Sequence, residues 1–326
     1  MSSGEMYDTI PKDKVDSIAR AKRLEIWSIG FLFSIILVLG FTMGASQAMK
    51  AMWLEDTLSL IPSSAVLIGI YLRRWKPNEN FQYGYHRGVQ IGFLAASVAL
   101  FGFGVYLIID SIYSLIIAHH PTIQTIDIFG TRVWLGWLMI AALIYSIIPP
   151  VILSRYKEPL ATELHDKALF TSSKIDKGDW LSGLAGIAGI LAIAFGYWWA
   201  DSLAAGFISF EIIRDGWDAL RNSTHHLMDM QPTDVEEKKP DEVIGRVEHE
   251  LETVPWIRDF QIRIREEGDI ITGEAFVVPD QPQINLEQLG DAGERVKALD
   301  WRIQDFNIVP VSQIGNGPQA DGARAG

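Results

Sequence analysis

The chain has 326 residues, no cysteine and a formal net charge of −12, and 48% of its residues are hydrophobic. The lack of cysteine excludes disulfides and thiolate metal sites. Between Asp229 and Val311 there are 20 acidic against 9 basic residues, whereas Met1 to Met228 holds 19 against 18. The negative charge therefore belongs to one C-terminal module, which argues for two domains in different solvents and against nucleic acid as a partner, because phosphate contacts need cations.

Residues 1–23 form a polar N-terminal tail unlike a cleaved signal peptide. Six apolar segments of about 20 residues follow, each long enough to span a bilayer. They run near Leu24–Met43, Ala51–Leu72, Val89–Ile117, Val133–Leu153, Gly178–Trp199 and Asp201–Leu220. Basic residues alternate between the connections. Lys12, Lys14, Arg20, Lys22 and Arg23 precede the first segment. Arg73, Arg74, Lys76 and Arg87 follow the second, and Arg155, Lys157, Lys167, Lys174 and Lys177 follow the fourth. The other connections hold little beyond Lys50 and Arg132. The positive-inside rule then places both termini in the cytoplasm. Trp134, Trp137, Trp198 and Trp199 read as interfacial anchors. Ser182, Gly183, Gly186 and Gly189 form a small-residue face suited to close helix packing.

After Pro232 the pattern changes to an amphipathic helix over Pro240–Val254 with Val243, Val247 and Leu251 inward. Strands are predicted at Ile257–Arg265, Ile270–Val278 and Trp301–Val309, with a turn at Glu267–Asp269 and a helix at Leu286–Leu299. The fold class expected is an all-α six-helix transmembrane domain (24–228) plus a small cytoplasmic α+β domain (232–312) of order αββαβ. A Gly/Ala/Pro tail, 313–326, reads as disordered.

Carboxylates at membrane depth are costly and mark function. Glu55, Asp56, Asp110, Asp179, Asp201, Glu211 and Asp215 all fall in or beside the apolar segments. Asp201 and Asp215 read as reaching an interface. Asp56 and Asp179 stand out, because oxygen ligands on two facing helices suit a divalent cation. No nucleophile–base pair, P-loop or HExxH pattern is present, so the chain does not read as an enzyme and no cofactor is expected.

These segments resemble the cation diffusion facilitator family of six-span metal-cation/proton antiporters. The resemblance is carried by Leu54–Ser59, Phe81–Arg87, Asp179–Gly183, Trp199–Gly206, Leu227–Pro232 and the αββαβ tail, and it extends from about Glu25 to Val311. It implies a multi-pass protein of the cell (inner) membrane that exports a divalent metal ion against protons. It also implies a homodimer formed through a metallochaperone-like, ferredoxin-like C-terminal domain. The family's site pairs two acids four apart on the second span with His or Asp and Asp four apart on the fifth. Asp56 and Asp179 match one member of each pair, while Leu60 and Ile175 stand where the others belong. Glu55, Asp176, Ser59 or water are candidate substitutes, giving a metal-ligand set of Asp56, Asp179, Glu55 and Asp176. Lys177, beside Asp176, is a candidate internal cation. Phe260, Ala275 and Asn307 replace the His and Asp that bind regulatory metal in other members' C-terminal domains, so no multi-histidine site is expected there. A transport-inactive relative, acting as a dimeric sensor or scaffold, is the alternative reading.

Overall fold

A computed structural model describes residues 12–314 apart from 73, 74, 76, 119–122, 129, 130, 269 and 282. The basic residues Arg73, Arg74 and Lys76, the turn residue Asp269, most of the N-terminal tail and the tail beyond 314 lie outside the described residues. The chain divides into two compact units. One comprises Asp16–Arg74 and Gly88–Thr224. The other comprises the described parts of Met1–Val15, Trp75–Arg87 and His225–Gly326.

Six long helices build the first unit: α1 (Lys12–Thr42), α2 (Gln47–Leu72), α3 (Gly88–Ile116), α4 (Leu135–Leu164), α5 (Lys167–Ala194) and α6 (Ala200–Leu227). Among the described residues four of them, α1 to α4, are long and apolar enough to cross a membrane. Their inward faces meet in an apolar core that includes Ile35, Met49, Met52, Leu107, Leu143, Ile190 and Ile208. A smaller cluster joins Ala21, Val66, Leu160 and Leu169. A short antiparallel hairpin, β1 (Thr125–Ile128) with β2 (Thr131–Trp134), precedes α4. The predicted start of the fourth segment at Val133 is thus strand rather than helix.

The fifth helix differs most from expectation. It begins at Lys167, eleven residues before Gly178. Lys167, Lys174, Asp176 and Lys177 interrupt the apolar run and read as loop, yet the backbone signals favour helix. His165 takes a left-handed conformation (φ 50°) that ends α4. Asp166 then caps α5 by accepting a hydrogen bond from the Leu169 amide at 3.0 Å. The consequence is large, because Asp176 and Asp179 fall well inside a helix instead of at its start.

Small residues let α5 and α6 come close. A Cβ on Gly189 would stand 2.8 Å from the Ala204 Cβ, and one on Gly216 would stand 2.6 Å from the backbone nitrogen of Phe101. Asp201, read from the sequence as an interfacial acid, is fully buried among protein groups. It accepts hydrogen bonds from Ser46 Oγ (2.6 Å) and from the amides of Gln47 (2.6 Å) and Ala48 (3.3 Å), so the start of α6 caps the start of α2.

The second unit holds α7 (Glu242–Glu252), β3 (Ile257–Glu267), β4 (Ile270–Pro279), α8 (Leu286–Lys297) and β5 (Ile303–Pro310). The sheet order is β3-β4-β5, with β3 and β4 antiparallel and β4 and β5 parallel. Val243, Val247 and Leu251 of α7 are buried against Ile262, Ala275, Val277 and Phe306. Asn285 and Gln288 form a reciprocal capping box at the start of α8. In the same unit Arg87 donates to the Leu227 carbonyl (3.3 Å), to Asp229 and to Glu267 (3.3 Å). Gly268 turns the β3–β4 hairpin with φ 71° and lies so near the His86 carbonyl that an added Cβ would be 2.7 Å from it.

Arg302 is buried and holds two acids, Asp241 at 2.7 Å and Asp300 at 3.1 Å. Burial alone would raise the Asp300 carboxyl, but the hydrogen bonds from Arg302 and Arg246 outweigh it and bring the group down to about 2. A depressed carboxyl stabilises the fold above its unfolded value of 3.8 and loses that contribution as pH falls toward about 2. Replacing Arg302 by Met is expected to cost about 3–5 kcal/mol, because two acids lose their buried cation. Calorimetry on the full chain in detergent should show a lower unfolding temperature for this unit at pH 7. The difference from wild type should shrink below about pH 3 as Asp300 protonates.

Candidate metal site

Polar groups inside the six-helix unit cluster on α2, α5 and α6. On α2, Glu55, Asp56, Ser59 and Ser63 are buried; on α5, Ser172, Ser173, Asp176, Asp179 and Ser182 are buried. Helical spacing explains the grouping. Positions three and four apart share a face, so Asp176, Asp179, Ser182 and Gly183 of α5 form one stripe, and Asp56, Ser59 and Ser63 of α2 form another. Leu60 and Ile175, four residues from Asp56 and Asp179, supply no oxygen. Pro62 lacks the amide that would bond the Leu58 carbonyl, loosening α2 one turn beyond Asp56.

The carboxylates divide into two groups. Asp176 is committed to a resident cation. Lys157 of α4 has no exposed surface, and its ammonium lies 2.7 Å from Asp176 and 3.1 Å from Glu25 of α1. Ser172 lies 3.1 Å from the same ammonium and donates to Glu25 at 3.0 Å, and Ser28 donates to Asp176 at 3.4 Å. The lysine in this role is Lys157, since Lys177 instead pairs with exposed Glu158 at 3.2 Å.

Asp56 and Asp179 form the other group. Asp56 is 1% exposed and Asp179 3%, and among the described residues no hydrogen bond or ion pair reaches either. Both lie within Coulombic reach of one another, and Asp179 also feels Glu55, Asp176 and Asp215. Glu55 shares Ser182 with Glu211 of α6: the Ser182 hydroxyl oxygen is 3.2 Å from Glu55 and 2.8 Å from Glu211. The second oxygen of Glu55 is buried without a hydrogen bond among the described residues. As they stand, no three His, Asp or Glu side chains among the described residues close a compact ion cage. Oxygen donors from three helices nonetheless face one polar region. A separate hollow of about 420 Å³, lined by Val98, Ala99, Gly102, Phe103 and Tyr106, borders α3 alone and has no acidic lining.

The remaining acid at membrane depth, Asp110, pairs with Lys50 at 2.8 Å. His226 contacts Glu237 at 2.6 Å where α6 ends. The residues that sequence reasoning missed are Lys157 and Glu25. Lys157 counted as a loop charge and Glu25 was not singled out among the acids; their pairing across α1, α4 and α5 leaves no local pattern in the sequence.

The cation efflux transmembrane domain family matches residues 24–228, about two thirds of the chain. The chain belongs to the cation efflux family. Its members are membrane transporters, not enzymes. The manganese efflux system protein MneS of Bacillus subtilis is 27% identical over 69% of this chain and 71% of its own length. The transporter YdbO of the same organism is 22% identical over 85% of this chain and 89% of its own. A cadmium, cobalt and zinc/H(+)-K(+) antiporter of B. subtilis is 24% identical over 56% of this chain and 54% of its own.

The lysine triad yields a stability test. Lys157→Met leaves two buried carboxylates without their cation and should cost about 3–5 kcal/mol. Adding Glu25→Gln and Asp176→Asn to Lys157→Met should recover most of the loss, read from the thermal midpoint in detergent. A triple variant no more stable than the single one would show that the ammonium is not balancing those acids.

Proposed function

We propose that the protein exports a divalent metal cation across the cell (inner) membrane in exchange for protons. Asp56 of α2 and Asp179 of α5 are the ligands at membrane depth, and Glu55 is a neighbouring acid. The observation that carries this reading is the pair itself: two buried carboxylates on different helices, with no hydrogen bond or ion pair to either among the described residues, in a cation efflux protein. Ionised acids crowded in a medium of low dielectric repel one another, and a bound cation relieves that repulsion. A metal ion and protons are alternative ways to do so, and competition between them couples the two fluxes. The antiporter relative of B. subtilis supports the exchange, and MneS supports a divalent metal as cargo.

In this reading all six long helices cross the bilayer. The charged residues of α5 and α6 are accommodated on inward faces or toward the ends at Lys167 and Leu227. Both termini lie in the cytoplasm, the C-terminal αββαβ unit pairs two copies, and rocking of the helices that carry Asp56 and Asp179 opens the site alternately to each side. Asp176 is assigned to Lys157 rather than to the ion, so it maintains the site's shape and charge. Leu60, Ile175 and the lack of a compact cage favour one second reading, a transport-inactive dimeric sensor or scaffold.

Asp179→Asn or Asp56→Asn should abolish metal-driven proton flux in liposomes, with the thermal midpoint in detergent unchanged or raised as a buried charge is removed. Flux that survives both changes rejects the site. Calorimetry showing no binding of Mn²⁺, Zn²⁺, Co²⁺, Cd²⁺ or Mg²⁺ to wild type at millimolar concentration favours the scaffold.

A further inference from the structure

We infer that α6 supplies a third-helix ligand, Glu211, and that the Glu55–Ser182–Glu211 bridge makes the site one for a hard, oxygen-preferring divalent cation that keeps part of its water shell. This inference rests on the transport reading and deepens it.

The argument starts from one hydroxyl. Ser182 Oγ is within hydrogen-bond distance of both Glu55 (3.2 Å) and Glu211 (2.8 Å), yet a serine has a single hydrogen to donate. It serves one carboxylate. The other contact sets oxygen lone pair against oxygen lone pair unless that carboxyl carries a proton or a cation stands nearby, the same two alternatives that exchange in the transport reading. The second Glu55 oxygen is buried and accepts nothing among the described residues, and Glu55 itself is 9% exposed. One turn before Ser182 on the same helix face, Asp179 likewise has a buried oxygen that accepts nothing. Three helices thus aim carboxylate and hydroxyl oxygens at one region, and among the described residues Lys157 makes its ion pairs with Asp176 and Glu25 rather than with Glu55, Asp179 or Glu211.

The donor set decides the class of ion. Asp56, Asp179, Glu55, Glu211 and Ser182 offer only oxygen, with neither imidazole nor thiolate, which suits Mn²⁺-like or Mg²⁺-like ions better than a tetrahedral zinc centre. The carboxylates do not close a tight cage, and an ion that retains several waters does not require one. Glu211 also continues outward. Asp215 and Asp218 follow at four and seven residues along the same face of α6, passing from half-buried at Glu211 to exposed at Asp215 and Asp218. Asp215 feels Glu211 and Asp218 as well as Lys174 and Arg214. The file leads from the Ser182 bridge to the surface of α6 and gives a hydrated cation a polar route to Glu211.

The test uses the full chain in detergent and in liposomes, with Mn²⁺ as the probe. Electron paramagnetic resonance on wild type should report bound Mn²⁺ in an all-oxygen environment. Glu211→Gln should weaken Mn²⁺ binding about tenfold or more and reduce Mn²⁺ flux in parallel, while Glu211→Asp retains part of both. Ser182→Ala provides a second variant should Glu211→Gln fail to fold, and it is expected to weaken binding in the same direction. Wild-type Mn²⁺ affinity in folded Glu211→Gln, alongside loss of binding in Asp179→Asn, overturns the α6 ligand and leaves the two-helix reading standing. Unchanged binding in Asp179→Asn overturns both. Nitrogen couplings in the Mn²⁺ spectrum would overturn the all-oxygen assignment.

Discussion

A carboxylate withdrawn from water needs a positive charge, and the six-helix unit meets that requirement in two different ways. At Glu25 and Asp176 the charge is covalently part of the chain. Lys157 reaches from α4 to acids on α1 and α5, two serines complete its surroundings, and nothing has to be exchanged. At Asp56 and Asp179 the described residues supply no such charge. A fold that kept both pairs balanced internally would be more stable and would have no use for a cation from outside. Leaving one pair unbalanced costs stability, and in the proposed function that cost is what gives the pair its affinity for a cation.

The lysine triad also separates two neighbours on one helix. Asp176 and Asp179 are three residues apart and share a face of α5, so by spacing alone they are equivalent candidates for a metal. The contacts break that equivalence. Asp176 has an ammonium at 2.7 Å, whereas the charges acting on Asp179 among the described residues are those of Glu55, Asp56, Asp176 and Asp215. The triad ties α1, α4 and α5 together at this level, next to the turn at His165–Asp166. Small residues further along α5, above all Gly189 against Ala204, hold the other end of the helix close to α6. Asp179 and Ser182 therefore sit on a helix fixed from both sides, which keeps their distance to α2 and α6 defined.

Much of this was legible in the sequence because apolar length and helical spacing are local properties. The segments over α1 to α4, the inward positions Val243, Val247 and Leu251, and the small-residue face of α5 all follow from period and composition. The start of α5 was not legible, since Lys174, Asp176 and Lys177 resemble a loop until their partners are known. Lys157 illustrates the reason. In a window of sequence it is one more basic residue after an apolar run, and only packing against α1 and α5 turns it into an internal counter-ion. Asp201 is the same case in reverse: an acid at a span boundary looks interfacial, but it caps the start of α2 beside Ser46, 155 residues away in the chain. Pairings between distant residues carry no periodic signal.

The two units place charge under opposite constraints, and this explains the uneven distribution along the chain. In the C-terminal unit most of the acids are exposed, where water screens them and an excess costs little. Among the buried ones, Asp241 comes with its own buried Arg302 and Glu267 pairs with Arg265 and Arg87. In the helical unit screening by water is weak, so each acid must be matched individually: Asp110 by Lys50, Asp176 and Glu25 by Lys157, Asp201 by backbone amides. Taking the buried acids in turn leaves Asp56 and Asp179, with Glu55 and Glu211 sharing a single hydroxyl hydrogen beside them. Other buried oxygens without a hydrogen bond among the described residues, such as those of Glu25 and Ser202, are single and scattered, whereas those of Glu55, Asp56 and Asp179 fall on neighbouring faces of α2 and α5.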